Sequence, residues 1–256
     1  MPRRLLVALL VFVWSLPAAA LVGGAPPAPG AAARHVVMIV GSRGTSCTAT
    51  VVARDLLLTA AHCVLPGADY KLVLFDAARN PSLKDAKAIE RHPSFAVNTL
   101  LAHRATADVA LMKLTAPLPA SFVPARLDAR ETATAKPGDR FTVVGYGVTV
   151  RGDGKSGGTL RAADLVATGK PGSLQLRLFD PATRNERPGL GACTADSGAP
   201  VFETRGEANV VIGVVSWSTG AKNAAGCGGL TGVTPLARYR AWIVDTARKL
   251  GSPLAE

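Results

Sequence analysis

The chain has 256 residues, of which 48% are hydrophobic and 18% charged, and a formal net charge of +11. These values exclude a disordered chain and leave ample apolar material for one large all-β domain or two small ones. The positive charge favours acidic surfaces in a non-specific way, but the Lys and Arg residues are scattered without aromatic interleaving, so nucleic-acid binding is not the expected function.

Residues 1–20 read as a secretory signal. Arg3 and Arg4 form a basic start, Leu5–Leu16 is apolar, and Ala18, Ala19 and Ala20 make a small-residue cleavage site. The alternative, an uncleaved membrane anchor, calls for a longer run, since about 20 apolar residues span a bilayer. Loss of Arg3 and Arg4 takes the net charge from +11 to +9. Export implies a secreted or periplasmic protein in an oxidising compartment, where four cysteines suit two disulfides. Spacing alone leaves three connectivities open.

After the predicted cut comes Leu21-Val22-Gly23-Gly24, then the Pro/Ala-rich stretch Ala25–Ala33, which one reading treats as linker. From His35 the pattern turns strand-like, with runs at Val36–Val40, Ser46–Val52, Leu56–Thr59, Lys71–Phe75 and Val109–Leu114. Further runs follow at Phe141–Gly145, Ser173–Leu178, Pro200–Glu203 and Val210–Trp217. Gly, Pro and Asn clusters separate them, the pattern of an antiparallel sandwich or barrel rather than of βαβ repeats. Ala77–Lys84, Phe95–Thr106 and Arg151–Gly158 read as exposed polar loops, and the Arg151-Gly152-Asp153 tripeptide reads as part of a solvated, Gly-rich turn. One helix is expected, over Leu236–Leu250, with Leu236, Tyr239, Trp242, Ile243 and Leu250 on or near one face.

Three short motifs carry chemistry. Ser197 lies in Gly191–Val201, which reads GACTADSGAPV, beside Asp196 and Gly198. A serine hydroxyl is a poor nucleophile unless a neighbouring base takes its proton. His62, in Ala60–Cys63, is the candidate base, with a ring that titrates near neutrality. Asp108, opening the segment DVALMKL, is the candidate acid to orient it. His35, His92 and His103 occupy no comparable context and read as surface or core residues. The Gly-x-Ser-x-Gly elbow does not fit, because Ala195 and Ala199 stand at its glycine positions. Zinc-ligand spacing is also lacking among the Cys and His residues, apart from the adjacent His62-Cys63, so no metal is expected.

With His62, Asp108 and Ser197 in that order, the chain from about Leu21 to Leu250 resembles the trypsin-like, chymotrypsin-fold serine proteases. The resemblance implies two six-stranded antiparallel β-barrels, roughly 21–130 and 131–256, within one peptidase domain and followed by a C-terminal helix. It implies disulfides Cys47–Cys63 and Cys193–Cys227, and an oxyanion hole built from the backbone N–H groups of Ala195 and Ser197. The family nearly always has Gly where Ala195 stands and usually Gly where Ala199 stands; a Cβ at Ala195 strains the local peptide or crowds the substrate.

Leu21-Val22-Gly23-Gly24 is similar to the family's Ile-Val-Gly-Gly start, so the amine of Leu21 is expected to pair with Asp196. Residues left before Leu21 should then leave the site disordered, and signal cleavage alone should expose the activating end. Gly191 and Ala192, Ser216, Trp217 and Ser218, and Thr231 are the residues that the resemblance places around the specificity pocket, with the 216–218 segment pairing with substrate as an added strand. Gly191 occupies the position where members that cut after Lys or Arg carry Asp. A neutral pocket narrowed by Ser218 points to small or medium apolar residues, with an aromatic preference as the alternative. The implied function is a secreted serine endopeptidase, without cofactor and as a monomer, acting on polypeptides and open to protein protease inhibitors. The alternative is a catalytically weak or inactive homologue that serves as a secreted binding protein.

Overall fold

The computed structural model describes residues 21–76, 78–102, 104–130, 135–169, 174–206 and 208–254. The predicted signal segment and His103 lie outside them. The first barrel contains β1 (Val36–Gly41), β2 (Ser46–Ala53), β3 (Leu56–Thr59), β4 (Tyr70–Phe75), β5 (Pro81–Arg91) and β6 (Ala110–Leu114). A short helix, α1 (Gly30–Ala33), precedes it, and α2 (Val97–Leu101) interrupts the loop before β6. Its strands close in the order β1-β2-β3-β6-β5-β4, every pairing antiparallel.

The two-residue β7 (Arg126–Leu127) leads on to β8 (Arg140–Gly145), β9 (Arg161–Ala167), β10 (Leu176–Phe179), β11 (Pro200–Arg205), β12 (Ala208–Ser218) and β13 (Thr231–Pro235). The order β11-β8-β9-β10-β13-β12 is closed by a β11–β12 pairing, giving the second six-stranded antiparallel barrel. β7 adds to β12 in parallel as an outer seventh strand. The expected chymotrypsin-like, two-barrel, all-β architecture is therefore present.

Strand periodicity sorts the apolar residues into three clusters. Ile39, Val51, Leu57, Leu72 and Met112 fill the first barrel. Val143, Leu165, Leu178, Val201 and Val233 fill the second. Alternate positions of the same strands, Val36, Val52, Leu56, Leu58, Leu111, Val144, Phe202 and Val214, pack between the barrels. Strands whose two faces are both buried lose polar alternation, which is why Leu56-Leu57-Leu58 is wholly apolar and wholly buried.

Three expected elements change, the first being the loop Phe95–Thr106, within which α2 forms. Residues 81–84 were assigned to the polar loop Ala77–Lys84 but belong to β5, whose Lys71↔Asp85 to Phe75↔Pro81 register forms an exposed hairpin with β4. The turn joining them is closed by the Asp76 carboxylate, which accepts from the backbone and side-chain N–H groups of Asn80. The helix expected from Leu236 starts as a tighter 3-10 turn over Ala237–Tyr239 and becomes α-helical only over α3 (Arg240–Lys249). Gly251, at φ 71, takes the left-handed conformation just past its end. Arg151, Gly152 and Asp153 are exposed, and Asp153 caps a single 3-10 turn by accepting from the Lys155 N–H. Among the described residues, no helix is long and apolar enough to cross a membrane.

The tail after α3 is fastened to the first barrel. Lys113 on β6, nearly buried, pairs with Asp55 at 2.5 Å and donates to the Ser252 hydroxyl, which in turn donates to Asp55 at 2.6 Å. Lys113→Ala should lower the unfolding free energy by about 3 kcal/mol, since it strands a partly buried carboxylate. Ser252→Ala should cost about 1 kcal/mol, and urea denaturation of the two variants tests this ranking.

Candidate active site

The β3–β6 register, ending at Thr59↔Ala110, sets the chain leaving β3 beside the chain entering β6. That places His62, on the 3-10 turn Ala61–Val64, against Asp108. Asp108 is fully buried, and such a carboxylate is costly unless donors surround it. Three do. The His62 backbone N–H donates to Oδ1 at 2.9 Å, His62 Nδ1 lies 2.8 Å from Oδ2, and the Ser216 hydroxyl also donates to Oδ2. This arrangement fixes the ring with its Nδ1 proton toward Asp108 and leaves Nε2 as the acceptor.

Ser216 shows a role the sequence did not reveal. Its backbone belongs to the 216–218 strand segment, as expected for substrate pairing, but its side chain belongs to Asp108. The clue would have been the register of β12, invisible without the fold.

Ser197 sits where two tight turns meet. The Asp196 N–H donates to the Cys193 carbonyl and the Ala199 N–H to the Asp196 carbonyl. Each turn carries a left-handed residue at its third position, Ala195 at φ 74 and Gly198 at φ 80. Gly198 adopts this freely, and a Cβ there would strike Thr59 and the Thr48 carbonyl. Ala195 does not: an L-residue in this region costs roughly 1–2 kcal/mol. The strain expected from its Cβ is thus a feature of the backbone.

The two halves of the site meet at the disulfide Cys47–Cys63. Cys63 Sγ lies 3.9 Å from His62 Nε2 and 3.6 Å from the Ser197 carbonyl oxygen, the latter a packing contact because a disulfide sulfur carries no proton. The Thr48 N–H donates to the same carbonyl at 2.9 Å. No hydrogen bond joins Ser197 Oγ to His62 among the described residues; such bonds commonly tighten only when substrate excludes water. Cys47, His62 and Cys63 are also clustered closely enough to suit a metal, but both sulfurs are consumed by the disulfide and offer no thiolate.

A trypsin family model matches residues 21–243. The chain belongs to the trypsin family. A vitellin-degrading protease of Bombyx mori is 27% identical over 231 residues, covering 85% of this chain and 82% of the relative. Glucanase inhibitor protein 4 of Phytophthora infestans is 30% identical over 114 residues, covering 43% and 44% of the two chains.

The second disulfide, Cys193–Cys227, joins the segment before Ser197 to the loop before β13, so both pairings implied by the family resemblance are formed. Around the expected specificity pocket, Gly191 contributes no side chain, and a Cβ there would approach Gly228 and the Thr231 hydroxyl. Thr231, fully buried, accepts from the Ala192 N–H at 3.0 Å and stands opposite Ser218 in the β12–β13 register. The Trp217 ring lies directly over Gly232, with the Arg177 guanidinium 5.6 Å from its centroid. Gly191, Ala192, Ser218 and Thr231 are thereby brought together, and Trp217 flanks them. Of the other two described histidines, His35 bonds the Val123 carbonyl, and His92 packs between Tyr239 and Trp242.

Asp196, the second fully buried carboxylate, sits in a pocket of backbone. It accepts from the Gly147 and Cys193 N–H groups, each at 2.9 Å, and a Cβ on Gly147 would overlap its carboxyl group. Among the described residues no cation pairs with it, and burial pushes its pKa up to about 7 despite those two bonds. Leu21 is fully buried in the second-barrel core with Ala192 and Ala199, and Val22 bridges to Gly191. The Leu21-Val22 segment is therefore docked along the segment that leads to Asp196. Leu21 stands at φ 51, a strained value for a bulky residue that vanishes if the chain begins there, because a terminal residue has no φ.

A sharp pH dependence follows. In a chain that retains residues before Leu21, Asp196 binds its proton more tightly when folded than the ordinary value of 3.8 allows, so stability should fall as pH rises from about 4 to about 7. In a chain starting at Leu21, the ammonium should hold Asp196 ionised and remove that loss. Urea unfolding of both forms from pH 4 to pH 8 checks this; parallel curves would contradict it.

Proposed function

We propose that this protein is a secreted serine endopeptidase. The observation that carries the reading is the buried Asp108 carboxylate holding His62 Nδ1 at 2.8 Å, on a turn clamped by disulfide to β2, whose Thr48 N–H holds the Ser197 carbonyl. In this reading Ser197 Oγ attacks the substrate carbonyl carbon while its proton passes to His62 Nε2. Asp108 stabilises the imidazolium that forms. The oxyanion is received by the Ala195 and Ser197 N–H groups. Collapse breaks the C–N bond as His62 protonates the leaving amine, and water then releases the acyl group by the same steps in reverse.

Leu21 is the proposed mature N-terminus, with its amine on Asp196, and the leader 1–20 is removed during export. The two disulfides suit an oxidising compartment. Gly191 at the pocket base, with Thr231 and Ser218 around it, supports cleavage after small or medium apolar residues; protein protease inhibitors and polypeptides are the proposed partners of a monomer. One observation favours the second reading, a non-catalytic binding protein: the strained Ala195 in the oxyanion turn. A glucanase inhibitor among the relatives is in keeping with it.

The test is hydrolysis of a peptide panel that varies only the residue before the scissile bond, using protein that starts at Leu21. Turnover should be highest on Ala or Val substrates and absent in Ser197→Ala. Asp108→Asn should lower kcat by about four orders of magnitude, with a loss of stability of about 1–3 kcal/mol because its amide NH2 meets donors in a buried site. Fast cleavage after Arg would overturn the pocket assignment and leave the mechanism standing. A folded, correctly processed protein without turnover on any peptide would favour the binding-protein reading.

A further inference from the structure

Thr48, on β2 of the first barrel, is fully buried and lies far from Ser197 in sequence, yet three of its polar groups converge beneath the nucleophile turn. Its N–H holds the Ser197 carbonyl at 2.9 Å, and its own carbonyl accepts from the Thr59 hydroxyl at 2.8 Å. Its hydroxyl donates to the Ala195 carbonyl at 2.9 Å and accepts from the Tyr146 N–H at 3.1 Å. Tyr146 begins a run of three successive donors. The next N–H, of Gly147, binds the Asp196 carboxylate, and the third, of Val148, binds the Thr194 carbonyl at 2.9 Å.

The turn these groups hold is the one under strain. Thr194 and Ala195 are its central residues, and the peptide between them carries the Ala195 N–H. Rotating that peptide by about half a turn converts the arrangement into a common turn with negative φ at its third position, which alanine prefers. The rotated form would present the Thr194 carbonyl where the Ala195 N–H now stands. The Val148 N–H opposes it directly by holding the Thr194 carbonyl, and Thr48 anchors the adjoining peptide through the Ala195 carbonyl, limiting how far Ala195 can relax.

We propose that the Thr48 hydroxyl is a positioning group that keeps the Ala195 N–H turned toward the oxyanion, by bridging the Tyr146 N–H to the Ala195 carbonyl and offsetting the left-handed strain of alanine there. The proposal rests on the protease reading for its kinetic consequence but not for its structural one. Thr48 itself is sealed from substrate. Its effect is transmitted through Ala195 and should therefore depend on which residue stands at 195.

The experiment compares Thr48→Val, Thr48→Ser, and Thr48→Val combined with Ala195→Gly, in protein starting at Leu21 with active sites titrated. Thr48→Val keeps the shape and removes the hydroxyl; it should lower kcat by about tenfold to a hundredfold with KM within about threefold. Thr48→Ser should stay within about threefold of wild type, and Ala195→Gly should recover most of the loss, because glycine needs no support at positive φ. An unchanged kcat in Thr48→Val, or an equal loss with Ala and Gly at 195, would overturn the proposal. Should Thr48→Val not fold, the smaller Thr48→Ala carries the same comparison. Wild-type protein without turnover would mean that the protease reading fails. The crystal structure of the Thr48 variant then decides the proposal: Ala195 shifted to negative φ sustains it, and Ala195 still near +74 overturns it.

Discussion

The constraint on which this molecule turns is a carboxylate with no exposure to water. Asp108 can be buried only because donors reach it from two directions: the turn after β3 supplies the His62 N–H and ring, and β12 supplies the Ser216 hydroxyl. Those elements belong to different barrels. Satisfying one charge therefore fixes the relative placement of the two halves, and the apolar cluster between them supplies the packing that holds it. Removal of either partner leaves a buried polar group unmet, so the geometry around His62 is enforced by the cost of the alternatives.

A second buried carboxylate poses the same problem with a different solution. Asp196 has two backbone donors and no cation among the described residues, and burial raises its pKa to about 7. The Leu21-Val22 segment is docked beside Gly191, and under the proposed processing its amine is the cation that would compensate Asp196. On this reading, activation is charge compensation more than refolding. The start of the mature chain, the turns flanking Ser197 and the segment Tyr146–Val148 then form one connected unit beneath the oxyanion site.

What could be seen in the sequence depended on how local the cause was. His62 with Cys63, Asp108 before an apolar strand, and Ser197 between Asp196 and Gly198 are short-range signatures, and the architecture they implied is the one observed. The strain at Ala195 was equally legible, since a single Cβ produces it. Residues 81–84 were read as loop because β5 is an exposed hairpin strand at that end, with a polar run that imitates a surface loop. The Ser216–Asp108 bond and the Thr48 bridge were hidden for a different reason. Each bonds a side chain to a group brought near it by strand register, between residues 108 and 147 positions apart. No periodicity in the chain encodes such meetings; only the closed barrels do.

The most direct test of the central claim, that His62 and Asp108 activate Ser197 in a chain starting at Leu21, is covalent labelling by a fluorophosphonate followed by mass spectrometry. One adduct per chain, located at Ser197, is expected. It should be lost in His62→Ala and strongly slowed when residues remain before Leu21. A folded wild-type protein that forms no adduct, or one that labels equally well without His62, would contradict it.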